Sequence, residues 1–242
     1  MTAWIFGLPI EGLHRDTIID IIRHSTTSQW LVTANPEILL ETKRNPLYSS
    51  AVKKASFRLV DGMGLALACR LKGSKVTRVT GVELSESLLQ LAQEMRWRVA
   101  LVGSQSQEAM QKLVRDVRAA YPDISVMGEL AGKVDEKGIG DLANEEASMR
   151  LSQFDPHIVL VAFGHPKQEL WIEQHKTDYP SLKAIMGVGG TFDYWSGAVK
   201  RAPRWMRQVG LEWLWRVFIE PKRIKRIFDA VILFPIHVLL SK

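Results

Sequence analysis

One cysteine, Cys69, stands in a chain of 242 residues. A single thiol excludes an internal disulfide and agrees with a reducing compartment. Long apolar runs are also missing, since no stretch reaches the roughly 18 to 20 uninterrupted apolar residues that a membrane-spanning helix needs. The opening MTAWIFGLPIEGLHR has no basic n-region, and its apolar run is short and broken by proline, so it does not read as a signal peptide. No GxxxxGK[ST] loop occurs. Asp61-Gly62-Met63-Gly64 begins like a dinucleotide fingerprint, but its third small position is Leu67, so GxGxxG fails. No Asp-x-Asp pair exists, and the six histidines and one cysteine show no metal-ligand spacing, so neither a metal nor a cofactor is expected. There are no internal repeats and no low-complexity linkers.

What is present is the composition of a globular protein with a real core, 46% hydrophobic and 24% charged. Short apolar runs alternate with amphipathic stretches. Trp4 to Leu8, Gln29 to Thr33, Phe57 to Val60, Arg98 to Val102, Ile124 to Met127, His157 to Phe163 and Lys183 to Val188 read as strands. Asp16 to His24, Pro36 to Arg44, a helix ending near Leu71, Gly81 to Met95, Gln107 to Ala120, Gly140 to Gln153 and Lys167 to His175 read as helices. Strands apolar on both faces, separated by helices, predict an α/β fold with a Rossmann-like, mostly parallel sheet flanked by helices. Gly132 to Gly140 reads as a flexible insertion.

The charge is concentrated at one end. Gly197 to Arg226 holds nine Lys or Arg against Glu212 and Glu220, a local balance of +7, while the whole chain carries +6. The remainder is therefore close to neutral. An apolar run, Ile227 to Leu240, follows at once, interrupted by Asp229, Pro235 and His237. This divides the chain into an α/β core, 1–196, and a basic, Trp-rich helical appendage, 197–242, suited to lie on an anionic membrane surface. Trp205, Trp213 and Trp215 serve equally well as interfacial anchors or as core.

Ligands of open α/β sheets bind at the carboxyl ends of the strands. Here those ends carry Thr33-Ala34-Asn35, Asp61-Gly62, Gly103-Ser104-Gln105, Gly164-His165-Pro166 and Gly189-Gly190-Thr191. Small residues let a ligand approach backbone N–H groups, and helix N-termini behind them favour phosphate. Asp61 sits where a buried strand meets a helix, able to be held partly desolvated with its pKa raised toward a base's working range; the competing reading is a helix N-cap. Thr33 and Asn35 could bind a substrate hydroxyl, or Asn35 could cap the Pro36 helix. Arg78 precedes a helix start and suits phosphate or solvent. Gln168, in the first turn of a helix, can read a sugar or base edge, while Glu169 beside it can simply complement the helix dipole.

Thr33-Ala34-Asn35-Pro36-Glu37, Asp61-Gly62-Met63-Gly64, Arg78-Val79-Thr80-Gly81, Phe163 to Glu169 and Gly187 to Asp193, followed by the basic segment through Arg226, occur in that order. Together they resemble the WecG/TagA/CpsF family of bacterial glycosyltransferases across nearly the whole chain. The resemblance implies a cytoplasmic enzyme, peripheral on the inner face of the cell membrane. It would move an N-acetylmannosamine-type sugar, with inversion, from a UDP-sugar donor to a polyprenyl-diphosphate-linked N-acetylglucosamine, for teichoic acid, common antigen or exopolysaccharide synthesis. It makes Asp61 the general base, Thr33 its neighbour, and Arg78 and Gln168 pocket residues. Arg216, Arg223 and Arg226 become the arginines that meet the diphosphate.

Two other classes compete. A non-catalytic nucleotide-sugar-binding or scaffold protein of a membrane polysaccharide complex would bind UDP without turnover. A nucleic-acid-binding protein would use the basic tail, but that tail matches no recognised binding module and runs into an apolar segment. Nucleic acid is therefore not expected as a partner; a homo-oligomer remains open.

Overall fold

The computed structural model describes residues 2–103, 106–208, 210–219 and 224–240. Eight strands form one sheet in the order β1-β2-β4-β3-β8-β7-β5-β6. They are β1 (Thr2–Ile5), β2 (Leu8–Glu11), β3 (Gln29–Ala34), β4 (Phe57–Val60), β5 (Arg98–Val102), β6 (Ser125–Glu129), β7 (Ile158–Val161) and β8 (Ala184–Gly187). Only β1 runs antiparallel to its neighbour. The expected α/β class with a mostly parallel sheet is what the chain adopts.

Side chains alternate across the strands, and each face is covered by helices. Trp30, Val32 and Ala34 of β3 enter one core with α2 (Pro36–Arg44), α3 (Pro46–Lys53), α4 (Met63–Leu71), α7 (Leu142–Phe154) and α8 (Lys167–His175). Leu31 of the same strand enters the other, with α1 (Arg15–His24), α5 (Gly81–Met95) and α6 (Gln107–Ala120). Burial on both faces is why these strands read as continuous apolar runs.

The reading of the first strand needs correction. Trp4 to Leu8 is not one strand but the middle of a hairpin, in which Ile5 pairs with Leu8 across a two-residue turn. Phe6 and Gly7 both take positive φ, 52° and 74°, the geometry that tight hairpins favour. The helix from Pro36 ends at Arg44, as its sequence indicates, and a second one, α3, which the sequence reading leaves out, starts at Pro46. Asn35 and Asn45 use the same device: each side chain accepts the N–H three residues on, Ile38 at 3.0 Å and Tyr48 at 3.1 Å, with proline at the next position.

The segment Gly132 to Gly140 is closed on itself rather than open. Val134 bridges Gly140, and the Asp135 carboxylate accepts the N–H groups of Lys137 and Ile139. Gly138 lies flat on α8, where a Cβ would meet Leu170 at 2.7 Å.

Beyond Ser196 come four short helices. After α9 (Thr191–Trp195), these are α10 (Arg204–Gln208), α11 (Glu212–Ile219), α12 (Ile224–Phe228) and α13 (Phe234–Leu240), with a π-helical stretch, Asp229–Leu233, before α13. The last helix is docked on the core: Phe234 and Val238 are fully buried, and the Phe234 ring meets Phe6 edge-on at 5.8 Å. Arg44 reaches Asp229 at 3.1 Å, Lys43 meets His237, and Arg226 pairs with Glu37, so three links tie this segment to α2. Trp205 and Trp213 are exposed, whereas Trp215 is half-buried with its indole N–H on the Lys200 carbonyl at 3.0 Å. Among the described residues no helix is long and apolar enough to cross a membrane.

Candidate active site

After β4 the chain crosses the sheet to β5, and it returns at β8, beside β3. This reversal places a crevice at the carboxyl ends of β3 and β8, where open α/β sheets bind ligands. The strand ends bring most of the sequence-selected residues into one row. In sheet order these are Asp61 after β4, Thr33 on β3, Gly189 after β8, Gly164 after β7 and Gly103 after β5. With strands about 4.8 Å apart, Asp61 and Gly189 are separated by roughly 10 Å.

Asp61 is fixed from both sides. Its backbone N–H bonds the Ala34 carbonyl at 2.8 Å, continuing the β3–β4 ladder past the last strand residue. Its half-buried side chain turns toward α5, where Oδ2 accepts the Gly81 N–H at 3.4 Å. The N-cap reading does not hold, because α4 is capped by Gly62 with φ 84°, and no side chain closes that cap. The carboxylate thus faces the N-terminus of another helix, whose dipole complements its charge. Thr33 is buried in the same corner, its Oγ1 3.4 Å from where a Gly81 Cβ would stand. Gly81, having no Cβ, therefore lets the Thr33 hydroxyl and the Asp61 carboxylate stand close to this helix start.

Arg78 lies alongside the end of β4, bridged to Val60, and its Nη2 donates to the Arg207 carbonyl at 3.3 Å. That bond brings α10 over the same corner. Immediately after, Gly210 rests on Met63, where a Cβ would lie 2.1 Å from Met63 Cγ. The basic segment therefore covers the start of α4, two residues from Asp61.

At the other side of the crevice, Gln168 is buried, and its Oε1 accepts the Gly189 N–H at 3.1 Å. Its position braces a loop more than it offers a free amide. Asn35 spends its side-chain oxygen on the α2 cap. Arg226 lies at the rim rather than in the row, bonding Glu37 through Nε at 2.9 Å, with both charges acting on the half-buried His165. Burial, more than these charges, pushes the His165 pKa below its usual value. Ser104, Gln105 and Arg223, and the side chain of Arg216, lie outside the described residues.

Two surface hollows lie elsewhere. One is between α1 and α5, walled by Arg15, Asp20, Arg23 and Glu94; the other runs along β6 and α6. Neither contains any of the candidate residues, and the row of strand ends is the better site because glycines, a carboxylate, a hydroxyl and an arginine converge there. Among the described residues no three His, Cys, Asp or Glu side chains gather as a metal-ligand set.

A family model described as "Glycosyl transferase WecG/TagA/CpsF family" matches residues 3–242. The chain belongs to this family. It is 35% identical over 206 residues to a Staphylococcus aureus protein named N-acetylglucosaminyldiphosphoundecaprenol N-acetyl-beta-D-mannosaminyltransferase, covering 84% of this chain and 77% of that one. A Bacillus spizizenii protein of the same name is 33% identical over 201 residues, 83% of this chain and 75% of its own. By family the protein is a glycosyltransferase.

Proposed function

We propose that the chain transfers an N-acetylmannosamine-type sugar from a UDP donor to a polyprenyl-diphosphate-linked N-acetylglucosamine, with inversion at the anomeric carbon. The observation that carries this reading is the corner at the crevice where Asp61 accepts the Gly81 N–H with the Thr33 hydroxyl close by. In the family whose relatives are named for that transfer, one fixed carboxylate there suits a single displacement. Asp61 takes the proton of the acceptor hydroxyl as its oxygen bonds to the anomeric carbon. The bond from that carbon to the diphosphate breaks, and its electron pair leaves with UDP. Thr33 orients the acceptor hydroxyl. Glycines 103, 164 and 189 let the donor approach backbone donors.

The departing diphosphate needs positive charge. The chain has no Asp-x-Asp pair to hold a cation for it, and Arg78 with the tail arginines 216, 223 and 226 supplies the charge in this proposal. Residues 1–196 then form the catalytic core, and 197–242 the appendage that closes it and rests on the anionic inner face of the cell membrane, where the lipid acceptor resides. Arg78 bonded to the Arg207 carbonyl supports that closure.

The test is Asp61→Asn in the full chain, assayed with UDP-N-acetylmannosamine and a short lipid-diphosphate N-acetylglucosamine acceptor. Loss of a base lowers kcat by about 10²–10⁴, and calorimetry should find UDP binding retained. A variant with undiminished turnover removes Asp61 as the base. A parent chain that binds UDP but transfers no sugar to any lipid acceptor returns the protein to the scaffold reading.

A further inference from the structure

Gln168 and Glu169 are both buried, although they open a helix at the rim of the crevice. The Gln168 carboxamide lies across β8 at Gly187, where a Cβ would come within 2.5 Å of Nε2. Its oxygen accepts the Gly189 N–H at 3.1 Å, and its Nε2 donates to Glu169 Oε1 at 2.7 Å. Gly189 itself sits at φ 51°, the left-handed turn that ends β8. A carboxamide has one accepting and one donating end, and its neighbours decide which way it faces. Gly189 can only donate. Glu169 Oε1 accepts whether the carboxyl is ionised or protonated, so it holds the amide with its oxygen toward Gly189. A flipped Gln168 would set its NH₂ against the Gly189 N–H, two donors face to face.

Glu169 does this at a cost to the fold. No lysine or arginine is paired with it among the described residues, and burial pushes its pKa up to about 7. Its second oxygen faces the buried Tyr48 phenol, and neither atom closes a hydrogen bond of normal geometry. The Tyr48 ring in turn stacks edge-on against His165 at 5.6 Å. A buried carboxyl with so little compensation is destabilising where an apolar side chain of similar size is not. Stability therefore does not account for an acid at this position, while the orientation of Gln168 does.

We propose that Glu169 is a positioning residue, which fixes the amide of Gln168 and through it the Gly189 loop that borders the donor's place in the crevice. The part concerning the donor rests on the site reading above; the control of the loop does not.

Two variants of the full chain separate this role from a merely structural one. Glu169→Gln keeps an accepting oxygen for Gln168 and an NH₂ for Tyr48. Glu169→Leu fills the space but accepts nothing. In the ligand-free protein, Glu169→Leu should melt no lower than the parent, yet exchange the Gly189 amide about tenfold faster or more, as a locally opened loop does. UDP, titrated by calorimetry, should bind it about tenfold more weakly, the loss expected for one mispositioned hydrogen-bonding loop. Glu169→Gln should match the parent in both. Unchanged Gly189 exchange in Glu169→Leu overturns the proposal, as do equal losses in the two variants. If the parent chain does not bind UDP, the site reading fails by itself, and the exchange rates still decide whether Glu169 sets the loop.

Discussion

Glu11 and Glu169 are both drawn in from water, and only Glu11 is given a cation. Its carboxylate meets Arg58 at 2.7 Å, and that nearly buried guanidinium also donates to the carbonyls of Pro9 and Ala55, both at 2.7 Å. The group ties the end of β2 to β4 and α3 with its charge matched. Glu169 has only the Gln168 amide, with the Tyr48 phenol nearby, and burial raises its pKa from 4.5 to about 7. The sign of the consequence follows from proton counting. Between those two values the unfolded chain has released this proton and the folded chain still holds it, so the fold loses stability as pH rises through the window. A shift of this size corresponds to about 3 kcal/mol. Glu169→Gln has no such proton, so its stability relative to the parent should climb by about 3 kcal/mol from about pH 4 to about pH 8. Urea melts at several pH values measure it. A constant difference would show that Glu169 ionises inside the fold as it does in water.

Elements that depend on their own residues were legible, and those that depend on a distant partner were not. The strands β3, β4, β5, β7 and β8 appear where apolar runs end in small residues, because burial on both faces leaves no polar positions to confuse the pattern. Asp61, Thr33, Gly164 and Gly189 could be placed from this alone, since strand ends fix where a crevice must be. Asn45-Pro46 repeats the cap of Asn35-Pro36, so the start of α3 carries a sequence signal, although α3 was not read from it. The hairpin was not legible, because Phe6 takes φ 52° without being a glycine. Its ring is held by residues that lie more than two hundred positions away, Phe234 at 5.8 Å and His237 at 6.4 Å, with Lys43 Nζ 4.8 Å from its centre. The bracing of Gln168 by Glu169 was equally hidden, since adjacent residues on a helix do not ordinarily share a task. Docking of α13 on the turn can be measured. Phe234→Ala removes a fully buried ring and should cost about 3–5 kcal/mol in denaturant melts. A cost below about 1 kcal/mol would mean that α13 adds little to the core, as for an exposed side chain.

For the molecule as a whole, the tail has two faces with different duties. One is spent inward: Phe234 and Val238 are buried, Arg226 and Asp229 are paired with α2, and the Arg207 carbonyl holds Arg78. The other remains outward, with Phe218, Ile224, Phe228, Ile236, Leu239 and Leu240 all exposed along α11, α12 and α13. A soluble surface seldom gathers so many large apolar side chains beside a cluster of cations. An anionic bilayer would satisfy both, because each cation near it contributes about 1 kcal/mol and each inserted Phe or Leu about 1.5–3 kcal/mol. Removing the whole tail cannot test this, since the cut would also strip Phe234 and Val238 from the core. Phe218→Glu combined with Leu239→Glu alters only the outward face. This double variant should melt like the parent and bind phosphatidylglycerol vesicles about a hundredfold more weakly, with a larger loss if both side chains insert fully. Sedimentation with vesicles of graded anionic content reads both contributions. Undiminished binding by the double variant would leave the arginines and lysines as the whole of the attachment, and the apolar face would then need another partner.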